Sequence, residues 1–137
     1  MWWIYALLSA LFASLTAIFA KVGITGVNSN LATAIRTIII LMVAWGIVLA
    51  RGEAKGMANL SKQNIIFLII SGIATGLSWI FYFKALQIGK VSQVAPVDKL
   101  SVALTIILSV VFLGEALTLK TAIGALLIIA GTIVMIL

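Results

Sequence analysis

Three charged side chains, Arg36, Asp98 and Lys99, interrupt stretches otherwise rich in Ile, Leu, Val and Ala. A charge carried into hydrocarbon costs ~2.5 kcal/mol or more even on the lenient insertion scales, so each of the three demands a partner or a purpose. Asp98 is one of only three acids; the others, Glu53 and Glu115, lie in connecting segments. Asp98 is thus the one carboxylate placed to take up and release a proton within the membrane, and Arg36 and Lys99 are the basic groups placed to neutralise it. Enzymatic chemistry finds no support. The chain has no Cys and no His, which removes disulfides, thiolate nucleophiles, imidazole acid–base work and most metal sites. No carboxylate pair and no phosphate-binding loop are present, since GEAKG at 52–56 lacks the GK[ST] signature. No cofactor is expected.

The elements that must carry these charges are five apolar stretches, near 2–20, 31–50, 64–87, 93–113 and 120–137. About 20 such residues cross the ~30 Å hydrocarbon core as a helix. Hydrophobic residues make up 64% and charged residues 9% of the 137, at a mean hydropathy of +1.33, more apolar surface than a water-soluble fold of this size can hide. The expected fold is an all-α integral membrane protein, a bundle of five transmembrane helices forming one domain over 1–137. Residues 1–20 lack the basic start of a signal peptide and carry Trp2, Trp3 and Tyr5 as an interfacial belt, so they count as the first span. Ser29 or Asn30 is expected to cap the second. The net charge of +6 sits in loops and helix ends, where Lys and Arg set topology, so a lipid bilayer rather than nucleic acid is the expected partner.

A second span starting near Asn30 places Arg36 about 9 Å deep, and a fourth span starting at Ser92 places Asp98 at a similar depth. With five spans these two starts share a membrane side. One reading is an Arg36–Asp98 pair, with Lys99 nearby, at a polar cavity. In the other, Pro96 is the first residue of its helix, Asp98 an interfacial first-turn acid and Lys99 a snorkelling headgroup contact. Pro96 with Ser92, Gln93 and Ser101 around it also fits an interrupted helix lining a cavity. Trp79, Tyr82, Phe83 and Lys84, ending the third span, form either an interfacial belt or an aromatic wall for a ligand. Thr75 and Ser78 lie deeper on the same helix and offer hydrogen bonds. Gly72 and Gly76 form a GxxxG motif, and Gly124 and Gly131 share a face of the last span; these are packing seams within a subunit or a dimer seam.

Orientation follows from the basic residues. Lys21, Arg36, Lys84, Lys90 and Lys99 fall to one side, and Arg51, Lys55, Lys62 and Lys120 to the other. So even a balance permits insertion both ways, giving a dual topology in which two copies form an antiparallel homodimer.

Residues 85–137 resemble the second part of an EamA-type domain of the drug/metabolite transporter superfamily. The matching marks are Ala85-Leu86 after an aromatic helix end, Ala95-Pro96 opening the fourth span, Leu113-Gly114-Glu115 closing it, and Gly124 and Gly131 in the last helix. Lys21-Val22-Gly23 and Arg36 extend the resemblance over the whole chain. It implies half of a ten-helix inverted-repeat carrier, here the short five-span bacterial or archaeal form: a multi-pass secondary transporter of small metabolites or drug-like solutes in a prokaryotic cytoplasmic membrane. Glu115 then reads as a cap or inter-helix tie. The related four-span multidrug carriers hold their essential acid in the first helix, where this chain has none. The alternative is a non-transporting membrane subunit, or a protein handling lipid-linked substrates, that packs with a partner.

Overall fold

A computed structural model describes residues 1–137 as an all-helical chain. The helices are α1 (Trp2–Gly23), α2 (Ser29–Ala50), α3 (Lys62–Ile88), α4 (Val91–Asp98), α5 (Leu100–Leu113) and α6 (Leu119–Ile136), with a 3-10 segment, Glu53–Asn59, between α2 and α3. Runs such as Ile38–Ile39–Ile40 are indifferent helix formers in water. In lipid, only a helix satisfies a lone segment's own backbone groups, and that requirement overrides propensity. Taking α4 and α5 together as Val91–Leu113, five segments are long and apolar enough to cross a membrane.

The expected spans are all present, with ends shifted by a few residues because capping sets the boundaries. Asn28, rather than Ser29 or Asn30, caps α2, its side-chain oxygen accepting from the N–H groups of Asn30 at 2.9 Å and Leu31 at 3.4 Å. Ser61 accepts from Asn64 N–H at the start of α3. Thr118 does the same for Thr121 at α6. At the end of α5, Gly114 adopts a φ of 68° and Glu115 N–H bonds back to Ser109 O, a left-handed closure that any side chain would strain. The fourth span differs more. It begins at Val91, so Pro96 lies inside a helix and Asp98 at its last turn; the first-turn reading of Asp98 does not hold.

The chain divides into two compact units, Phe19–Gln87 and the combination of Met1–Ile18 with Ile88–Leu137. In the first, Ala20, Ile24, Phe83 and Leu86 are buried together with Ser29 and Thr33. Polar ties hold this cluster: Lys21 Nζ donates to Leu86 O, and Gln87 Nε2 donates to Val27 O at 2.7 Å. They stitch the last turn of α1 and the segment after it to the end of α3, where carbonyls have no helical donor. In the second unit, α6 packs against α4 and α5, with Ala103 and Thr132 buried. Between 0% and 11% of each span is buried within the chain.

Candidate functional site

Two places hold the charges singled out above. In the Phe19–Gln87 unit, Arg36 lies about two turns into α2, on the order of 10 Å along the axis. One turn earlier Thr33 is buried and donates its hydroxyl to Ser29 O at 2.9 Å. The guanidinium carbon sits 4.4 Å from the Phe83 ring centre and 5.1 Å from that of Trp79. Trp79 and Phe83 are four residues apart and share one face of α3. Phe83 is 1% exposed, and Tyr82 meets its edge at a centroid distance of 6.0 Å. Each ring contact is worth ~0.5–2 kcal/mol, rising as water is excluded.

The rings meet the guanidinium at its carbon. Within its unit Arg36 forms no hydrogen bond or ion pair, and none of its nitrogens is sealed off unpartnered. On the helix that carries the rings, Thr75 is exposed and returns its hydroxyl to Ser71 O at 2.9 Å. Ser78 and Lys84 are exposed, and Tyr82 is half-buried.

The second place is the junction of α4 and α5. Pro96 has no N–H to give to Ser92 O, which weakens the helix a turn upstream. The ladder then tightens: Lys99 N–H reaches both Pro96 O at 3.0 Å and Ala95 O at 3.3 Å, and Val102 N–H bonds to Lys99 O at 3.0 Å, three residues back. Lys99 ends one helix and starts the next, so the fourth span is interrupted here. At this break Lys99 Nζ lies 3.3 Å from Asp98 Oδ2, and the two charges neutralise each other. Asp98 is half-buried and Lys99 exposed. Arg36 and Asp98, expected as a pair, thus each have partners within their own unit.

Thr132 was not singled out in the sequence. Its hydroxyl lies 2.8 Å from Ile128 O and 3.2 Å from Pro96 O, which ties α6 to the proline turn. A lone hydroxyl in an apolar helix is the signal that could have found it. Gln87 is a second such residue, a long amide at a helix end. A Cβ built on Gly72, Gly76, Gly124 or Gly131 meets nothing within 4 Å, so these four faces are open in the single chain.

The match to known proteins follows the same outline. A Sinorhizobium protein described as an uncharacterized transporter in the cobO 3' region is 47% identical over 134 residues, 98% of this chain and 95% of its own length. A Methanocaldococcus jannaschii protein, described as uncharacterized, is 35% identical over 81 residues, 59% of each chain. No solved structure matches. The family model for EamA-like transporters covers residues 1–137. With five membrane-length apolar segments and a family of transporters rather than enzymes, the chain is a multi-pass membrane protein of the EamA-like transporter family.

Proposed function

We propose that the protein is a secondary transporter of small metabolites or drug-like solutes, working as a homodimer by alternating access in a prokaryotic cytoplasmic membrane. The observation that carries this reading is the break at Lys99, an interruption inside a membrane-length segment with a carboxylate and an ammonium at its edge. Carriers use such interruptions to bring backbone carbonyls and charges to a substrate or ion at membrane depth. Asp98 is the coupling group, taking a proton as Lys99 is released. Arg36, Trp79, Tyr82 and Lys84 are the solute-facing candidates on α2 and α3, with Thr75 and Ser78 as their hydrogen-bonding neighbours. Pro96 sets the break.

Two features support the homodimer. Little of each span is buried within the chain, and the glycine faces at Gly72, Gly76, Gly124 and Gly131 are open, as close helix pairing between copies requires. The even spread of Lys and Arg suits copies inserted in opposite directions.

Single cysteines at Gly56 and Lys90 test this, because the chain has no Cys of its own. Impermeant maleimide added to intact cells is expected to label both sites in comparable fractions. Labelling of only one site removes the antiparallel pair and leaves a parallel assembly as the working unit.

A further inference from the structure

The cradle around Arg36 leaves an account open. A guanidinium never gives up its proton in a protein, and a charge at membrane depth costs several kcal/mol unless it is met. Trp79 and Phe83 meet its carbon; within its unit no hydrogen bond or ion pair meets its fork of N–H donors. The unit it belongs to, Phe19–Gln87, holds Lys21, Arg36, Arg51, Lys55, Lys62 and Lys84 against Glu53 alone. Glu53 in turn lies 3.9 Å from Arg51 in the segment after α2. No acid of this unit is therefore left to neutralise Arg36, and the local excess is strongly cationic.

We infer that the N–H fork of Arg36, beside Trp79 and Phe83, receives the carboxylate of a small organic anion, which makes the solute an organic acid rather than a neutral or cationic compound. This rests on the transporter reading above. A planar carboxylate matches the guanidinium fork with two parallel charge-assisted hydrogen bonds. Trp79, half-buried beside the guanidinium, suits an apolar or aromatic body behind the carboxylate. A lipid phosphate offers similar oxygens. Arg36 lies about two turns below the start of α2 and is half-buried, so a headgroup has to sink on the order of 10 Å to reach it.

Trp79 is a built-in reporter. In protein with Trp2, Trp3 and Trp45 replaced by Phe, its fluorescence is titrated in neutral detergent with 4-bromobenzoate, a heavy-atom quencher, and with neutral 4-bromobenzyl alcohol. Saturable quenching by the benzoate and only weak, linear quenching by the alcohol is the expected result. Arg36→Gln and Arg36→Lys are each expected to weaken benzoate binding about tenfold or more, since Lys keeps the charge and loses the fork. Equal quenching by the alcohol, in protein with Arg36 intact, overturns the inference even if both variants misfold. So does unchanged benzoate affinity in Arg36→Lys. In vesicles containing brominated phosphatidylglycerol, Arg36-dependent quenching that benzoate does not relieve assigns the site to a lipid and also overturns it. Flux of radiolabelled benzoate in proteoliposomes separates the two readings. Binding without flux leaves the anion site standing and sinks the carrier, whereas flux indifferent to Arg36→Lys does the reverse.

Discussion

Arg36 and the Asp98–Lys99 junction face the same difficulty, a charge on a membrane-length helix, and meet it in opposite ways. Arg36 is held by rings, 4.4 and 5.1 Å away, in a packed cluster where Phe83 and Leu86 are fully buried. Asp98 and Lys99 neutralise each other at 3.3 Å, on a helix with no fully buried residue, where proline has already loosened the backbone. Aromatic faces satisfy a cation without consuming its donors, so the first arrangement is rigid and still able to bind. An adjacent ion pair satisfies both charges but is held by few neighbours, so the second is neutral and easily opened. The difference suits a division of labour between a binding place and a moving, coupling place.

The largest effect is expected from Asp98→Asn. Removing the carboxylate strands Lys99 and eliminates the one acid on a span, so gradient-driven uptake in proteoliposomes falls to the level of protein-free vesicles, while solute exchange across equal gradients continues. The partner variant Asp98→Asn/Lys99→Met restores neutrality and stability and leaves coupling lost. Unchanged gradient-driven uptake in Asp98→Asn reduces the junction to a structural feature and ends the division of labour.

Phe83→Ala attacks the other side of the comparison. It empties a fully buried position and takes away the nearer ring under Arg36, with an expected loss of about 3 kcal/mol in unfolding free energy, in the range of large-to-small core changes. Phe83→Leu keeps most of the volume and forfeits only the cation–ring term, ~1 kcal/mol. Both are read from denaturant unfolding in mixed micelles. Equal, small losses would mean that Phe83 merely fills space and that Arg36 is held in some other way.

Much of this was legible because lipid imposes its rules on sequence directly. Twenty apolar residues in a row fix a helix, and a charge within them is conspicuous whatever the tertiary fold. Arg36, Asp98 and Lys99 stand out on that ground alone. Their partners were less legible. Arg36 was matched with Asp98 by depth along the helix, a coordinate that sequence supplies, whereas ring contact depends on rotation about the helix axis, which a weakly amphipathic segment barely encodes. Thr132 escaped for the same cause: a hydroxyl that can return its hydrogen to its own helix gives no outward sign of also reaching Pro96 O. The start of the fourth span was misplaced by two residues because Lys90, with no side-chain capping bond, carries none of the Ser, Thr, Asp or Asn chemistry that marks a helix start.

Thr132→Val is the finest probe of the junction and carries the smallest expected effect. The substitution is nearly isosteric and removes the one side-chain hydrogen bond made to Pro96 O. That carbonyl keeps its bond from Lys99 N–H at 3.0 Å, so no buried acceptor is orphaned. Side-chain hydrogen bonds between membrane helices average ~0.6 kcal/mol, and a stability loss of about that size is expected in the same unfolding assay. Its value lies in the rate. If α6 steadies the break, releasing Pro96 O makes the Asp98–Lys99 turn easier to open, and gradient-driven uptake changes by more than stability does. A stability loss with no change in uptake rate places the break outside the working motion, and the contrast with Arg36 then becomes one of packing alone.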